Sequence, residues 1–159
     1  MRGENNMEKY NNQMTVVMES RSQNESLART VVAAFIAPLD PSMDVLTDIK
    51  TAVSEAVTNA VIHGYKNELG EITLAMSLLD GELRISVSDK GAGIANIQQA
   101  MEPLYTTTSP EMERAGMGFT VMESFMGKVT VHSSPGQGTS VEMIKDLSGK
   151  ESAAAWTTL

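Results

Sequence analysis

Two polar side chains four residues apart are the first candidates for chemistry in this chain. Glu55 and Asn59 lie in VSEAVTNAVIHGY, where the apolar residues recur at helical spacing. At about 100° per residue, positions i and i+4 stand roughly 40° apart, on one side of a helix. Both fall at the border of the apolar stripe, beside Ala52, and so could look into a cleft. There Glu55 could take a proton or orient a nucleophile. The Asn59 carbonyl oxygen is a hard ligand suited to Mg2+, with phosphate oxygens or water completing the shell. Taken alone, the pair is equally an ordinary polar edge of a helix.

Three glycine-bearing segments add to this pair. Asp89-Lys90-Gly91-Ala92-Gly93 places a carboxylate at the end of a strand-like run, with glycines two and four residues on. The backbone of such a loop can approach a ligand closely, and the carboxylate can accept from an exocyclic amine such as adenine N6. A glycine turn closed by an Asx-type bond is the alternative. Gly116-Met117-Gly118-Phe119 leads into a helical pattern, where free N–H groups at the positive helix end could hold phosphate. It is also a plain loop-to-helix junction. Gly136-Gln137-Gly138-Thr139 offers a hydroxyl to phosphate, or is simply a hairpin turn.

Several other chemistries are excluded. No G-x-G-x-x-G opens a helix and no G-x-x-x-x-G-K-[ST] occurs, so neither the dinucleotide fingerprint nor the P-loop applies. There is no G-x-S-x-G nucleophile elbow. His63 reads as a helix-end cap or packing residue and His132 as part of a strand, which gives no metal motif.

The elements that must position these residues follow from periodicity and punctuation. Met14–Met18 reads as a strand, and Asn24 as the cap of a helix from Glu25 to Ala37 that Pro38 and Pro41 stop. Ser42 or Asp44 opens a long helix reaching His63, with Gly64 placed to end it. Glu71–Leu79 and Glu82–Ser88 form a hairpin around Asp80-Gly81. A short helix is expected over 95–101, a long polar loop over 102–118, and a helix over Phe119–Phe125. Lys128–Ser133 and Thr139–Ile144 close the chain as a second strand pair. The order β-α-α-β-β-α-β-β predicts an α+β fold, a two-layer sandwich with helices on one face of a mixed, mostly antiparallel sheet. Residues 14–147 are expected to form one domain, between a flexible extension at 1–13 and a flexible tail at 148–159.

Composition narrows the function classes. A length of 159 residues suits a single domain. Twenty acidic residues against twelve basic ones give a net charge of −8, which argues against direct nucleic-acid binding. The absence of cysteine removes disulfides and thiolate metal sites. No signal peptide or apolar run long enough to span a bilayer is read, so no membrane partner is expected and the location is expected to be cytoplasmic.

Taken in order, the four motifs resemble a known family. EAVTN resembles the N-box, DKGAG the first glycine box, GMGF the second and GQGT the pocket-closing segment of the GHKL superfamily of ATP-binding domains, which have the Bergerat-type fold. SQNESLARTVVAAFIAPLDPSMD, QAMEPLYTT and GMGFTVMESFM are similar, further, to the anti-sigma serine kinases of bacterial sporulation. The likeness runs from about Met14 to Ile144. It implies ATP and Mg2+ as cofactors and Glu55 as the general base that activates a substrate serine. It implies Asn59 as the Mg2+ ligand and Asp89 as the adenine reader, with Gly91 and Gly93 shaping that wall. Pro103 to Gly116 would be a lid over the triphosphate, with Thr107 among the nucleotide-binding residues. Gly116, Gly118 and Phe119 would form its phosphate-binding hinge, Thr139 would line the adenine or phosphate side, and Arg29 would contact partners.

The implied partners are a sporulation sigma factor, an anti-anti-sigma factor phosphorylated on serine, and a second copy of the chain in a homodimer. The chain departs from the pattern in the lid, where Thr108-Ser109 runs into Pro110-Glu111 and the basic residue expected after the paired threonines is missing. Two rivals stand beside this reading. One is a module that sequesters a partner in an ATP-dependent way without catalysis. The other is a histidine-kinase-type ATPase domain, which would need a phosphoacceptor histidine on a dimerisation helix; none is read before residue 14.

Overall fold

The computed structural model describes residues 10–102 and 110–148, with the backbone alone for 110–117. Five strands form one sheet: β1 (Asn12–Glu19), β2 (Glu71–Leu79), β3 (Glu82–Asp89), β4 (Lys128–Ser134) and β5 (Gly138–Asp146). Their spatial order is β1-β2-β3-β5-β4, so β5 lies between β3 and β4. A mixed sheet was expected, but each of the four pairings is antiparallel. The helices are α1 (Gln23–Ile36), α2 (Met43–Asn59), α3 (Ile97–Met101) and α4 (Pro110–Met126).

Alternation along the strands explains the layering. Ile72, Leu74, Met76 and Leu78 of β2, Leu83, Ile85 and Val87 of β3, and Val141 and Met143 of β5 are buried. Residues one step out of phase, such as Thr73, Ser77, Arg84 and Ser86, belong to the opposite face. The buried face meets Val32, Phe35 and Ile36 of α1, Ile49, Val53, Ala56 and Val57 of α2, and Met122 and Met126 of α4 in one core. Hydrophobic side chains at i, i+3 and i+4 on helices thus cover one face of the sheet, the predicted two-layer sandwich.

Local signals set most of the boundaries. Ser42 caps α2 by accepting from the Val45 amide at 3.3 Å. Asp80 and Gly81 both take positive φ, 50° and 83°, as a type I′ hairpin turn requires. Asn24 is not the cap of α1: the helix begins one residue earlier, and the Asn24 side-chain nitrogen donates to the Glu19 carbonyl at 2.8 Å. At its far end α2 widens into a π turn over 60–64, with the Tyr65 amide donating to the Ala60 carbonyl at 3.0 Å. The largest departure is α4. It begins at Pro110, so residues 110–118, expected as loop, are helical. β1 likewise begins at Asn12, ahead of the domain boundary read at residue 14.

Leu74 sits in the middle of β2 with no exposed surface. Leu74→Ala should lower the unfolding free energy by about 2–5 kcal/mol in urea titration, because the cavity it leaves adds to the lost transfer energy. Val17→Ala, at an exposed site on β1, should change it by less than about 0.5 kcal/mol.

Candidate functional site

A cavity of about 340 Å³ lies where the end of α2 meets the ends of β3 and β5. That volume is at the lower end of the roughly 300–1,000 Å³ typical of small-molecule sites. Asn59, Asp89, Gly93, Phe119 and Thr139 all line it, so five residues from four separate motifs reach one space, with Gly64 beside them.

Asp89 is the last residue of β3 and is half-buried. Burial raises its carboxyl above the ordinary aspartate range, while the backbone amides of Gly91 and Thr139 act in the opposite direction. The Gly91 amide donates to Asp89 Oδ1 at 2.9 Å, closing an Asx turn. The Asx turn, posed by the sequence as the alternative to a ligand-reading carboxylate, is present, and Asp89 also lines the cavity. Thr139 pairs with Asp89 across the β3–β5 ladder, and its hydroxyl lies 2.8 Å from Ser133 Oγ.

Close backbone approach holds this wall together. The Ala92 amide donates to the Gly64 carbonyl at 2.8 Å, which docks the glycine turn on the end of the π turn. A Cβ on Gly91 would stand 2.1 Å from the Gly64 oxygen, and one on Gly138 2.0 Å from the Asp89 oxygen. No side chain fits at either position. Gly93 joins the same wall, and the Gly136 amide reaches the Ala92 carbonyl at 2.7 Å.

On α2, Glu55 and Asn59 are both half-buried, as a border position predicts. Burial raises the Glu55 carboxyl above the ordinary glutamate range, and the neighbouring Glu25 adds to the shift. Glu25 of α1 accepts from Ser54 at 2.5 Å and from Thr58 at 2.9 Å, bridging the two helices beside Glu55. Arg29 forms an ion pair with that carboxylate at 3.7 Å, and its side chain is 40% exposed.

Asn59 brings an unsatisfied polar group to the cavity. Its side-chain nitrogen is buried without a hydrogen-bond partner, a state that costs about 1–3 kcal/mol until something satisfies the amide. Among the described residues no three His, Cys, Asp or Glu side chains cluster to hold a metal by themselves. A carbonyl oxygen from a cavity-lining amide is the kind of protein ligand Mg2+ takes, since that ion draws most of its ligands from phosphate and water.

The second glycine segment is placed differently from the expectation. Gly116 and Gly118 lie inside α4, beyond the first turn whose amides are free, so they do not form an open phosphate nest ahead of a helix. Gly118 instead lets α4 close on α2: a Cβ there would lie 3.2 Å from Asn59 Nδ2 and 3.4 Å from Glu55 Oε2. Phe119 is buried and forms part of the cavity wall. Thr107 and the 103–109 part of the expected lid lie outside the described residues.

His63, read from the sequence as a helix-end cap or packing residue, lines the cavity, as do Ile94 and Gln99, which the sequence reading did not single out. His63 follows Asn59 by four residues, so the helical repeat carried that signal; Gln99 had none, because α3 is too short for a pattern.

Over residues 18–145 the chain matches the histidine kinase-like ATPase domain. It belongs to that family and, within it, to the anti-sigma F factors. It is 56% identical to the anti-sigma F factor of Caldanaerobacter subterraneus subsp. tengcongensis over 136 residues, covering 86% of this chain and 94% of that one. Against the anti-sigma F factor of Bacillus licheniformis the identity is 52% over 138 residues, with the same coverage. Among solved structures, the RsbU and RsbW domains of a Mycobacterium tuberculosis protein superpose with a TM-score of 0.59 at 22% identity, covering 86% of this chain and 32% of that one. The blue-light activated histidine kinase of Erythrobacter litoralis EL346 gives 0.53 at 26%, covering 72% and 34%. This chain thus spans about a third of each of those longer chains.

Asp89→Asn separates binding from folding. A carboxyl whose folded pKa is raised is destabilising in its ionised form, so this contribution to stability is lost as pH rises through that range. The substitution removes that cost and keeps an oxygen for the Gly91 amide. At pH 7 the nucleotide-free variant should melt at or slightly above the wild-type temperature in calorimetry, while its ADP affinity falls at least tenfold.

Proposed function

We propose that this chain inhibits a sporulation sigma factor and is an ATP-dependent serine kinase acting on the anti-anti-sigma factor that releases it. The observation that carries the proposal is the order of groups along one helix. The Gly64 carbonyl holds the Asp89 wall, Asn59 faces the cavity, and Glu55 stands a turn further back, beside the Glu25 that pairs with Arg29. Residues 55 to 64 cover roughly 13 Å of helix, which separates the base-reading end from the reacting end.

In this reading Asp89 accepts from the adenine amine while Gly91 and Gly93 keep the wall thin. Asn59 would hold Mg2+, which supplies neutralisation of phosphate charge when bound. Gly118, Phe119 and Thr139 line the nucleotide, with Gly116 and Thr107 contributing from the lid side. Glu55 takes the proton of the partner's serine hydroxyl as that oxygen bonds to the γ-phosphorus and ADP leaves. Its raised pKa makes it a better proton acceptor than an ordinary carboxylate at neutral pH. Arg29 would meet an acidic patch on the partner. The chain would act as a homodimer in the cytoplasm; among the described residues no helix is long and apolar enough to cross a membrane.

The test is transfer of label from γ-labelled ATP to a purified anti-anti-sigma factor. Glu55→Gln should lower transfer by about 100-fold or more and leave ADP affinity nearly unchanged. Because burial and Glu25 raise the Glu55 carboxyl, wild-type transfer should decline on acidification at a pH above the ordinary glutamate range. Full transfer by Glu55→Gln would remove the base assignment. A partner that is retained but never labelled by wild type would point to the sequestering module instead. Asn59→Ala should weaken ADP binding in Mg2+ buffer and have little effect in EDTA.

A further inference from the structure

The three backbone amides that follow Asp89 in its turn are all taken within the protein. In succession, the Gly91 amide is taken by the Asp89 carboxylate at 2.9 Å and the Ala92 amide by the Gly64 carbonyl at 2.8 Å. The Lys90 amide goes to a side chain from outside the turn, donating to the Tyr65 hydroxyl at 2.8 Å. Tyr65 in turn donates that hydroxyl's proton to the Glu71 carbonyl at 2.5 Å, which uses its one donor. Glu71 opens β2, and its neighbour Ile72 pairs with Asp89 across the sheet. One phenol therefore ties the first residue of β2 to the residue that follows Asp89.

The position of the ring is itself fixed. It packs against the core, and its backbone is set by the π turn through the bond to Ala60. Gly70 lies beneath it so closely that a Cβ there would stand 2.2 Å from the ring edge. A hydroxyl on a ring held this way has little freedom, so its two hydrogen bonds set the 89–90 peptide and, through it, the direction of the Asp89 side chain.

We propose that Tyr65 is a positioning residue for adenine recognition, its hydroxyl holding the 89–90 peptide so that the Asp89 carboxylate meets the exocyclic amine of the base. The inference rests on the assignment of Asp89 to that amine. It makes Tyr65 act through Asp89 and not on the nucleotide, so its effect must vanish wherever Asp89 cannot read the base.

Tyr65→Phe removes the hydroxyl and keeps the ring, and calorimetry with ADP and with inosine diphosphate tests it. Inosine diphosphate carries an oxygen where ADP carries the amine. The loss of one hydrogen bond at a solvent-accessible site should weaken ADP by about three- to tenfold. Inosine diphosphate should change by less than about twofold, and the melting temperature without nucleotide by a few degrees at most. In an Asp89→Asn background Tyr65→Phe should have no further effect on ADP. Equal weakening of both nucleotides, or a lowered melting temperature with an unchanged ratio, would assign Tyr65 a structural role only and overturn the proposal. If Asp89→Asn itself leaves the ratio of the two affinities unchanged, the adenine assignment fails and the role of Tyr65 fails with it.

Discussion

The docking of the Asp89–Gly93 turn on the end of α2 is the constraint on which the site depends. Its core is a single backbone bond, Ala92 amide to Gly64 carbonyl, at a distance that no side chain on Gly91 would allow. Through it the helix that carries Glu55 and Asn59 is fixed relative to the strand that carries Asp89. β5 seals the other side by bringing Gly138 against the Asp89 carbonyl. The glycines are therefore required by the joining of three segments of backbone, and the cavity is the space left beside that junction.

A second consequence is electrostatic. Asp89 and Glu55 are both carboxylates placed where burial opposes their charge. Each would be easier to keep as a neutral group, and a core built for stability alone would not hold them. Asp89 lies against Gly64 at the far end of the π turn while Glu55 stands roughly 13 Å back along the helix, as the proposed separation of recognition from reaction requires. The Glu25 bridge to Ser54 and Thr58 joins α1 to the part of α2 that carries Glu55, so Arg29 and Glu55 sit on two helices held together by side-chain hydrogen bonds.

Much of this was legible in the sequence, for local reasons. The β2–β3 hairpin was fixed by Asp80-Gly81 between alternating runs, and α2 by its unbroken apolar stripe and the Ser42 cap. The border positions of Glu55 and Asn59 followed from helical geometry alone. What escaped was set by tertiary contact. Gly116 and Gly118 read as a junction ahead of a helix, yet α4 runs through both, and at Gly118 the missing side chain lets it pack on α2, where a Cβ would stand a tight 3.2 Å from Asn59 Nδ2. The π turn at 60–64 has no composition signal; it is needed to bring the Gly64 carbonyl to the glycine turn. Tyr65 was invisible because its partners, Lys90 and Glu71, are backbone groups that any residue would offer. The placement of β5 between β3 and β4 is likewise a pairing choice that no single strand records.

The central claim is that the four motifs build one adenine-nucleotide site. The most direct measurement is a calorimetric titration of the wild-type chain with ADP, and separately with GDP, in Mg2+ buffer. The account predicts saturable binding of ADP at one site per chain, with GDP binding at least tenfold more weakly. A folded chain that binds neither nucleotide, or both equally, would contradict it.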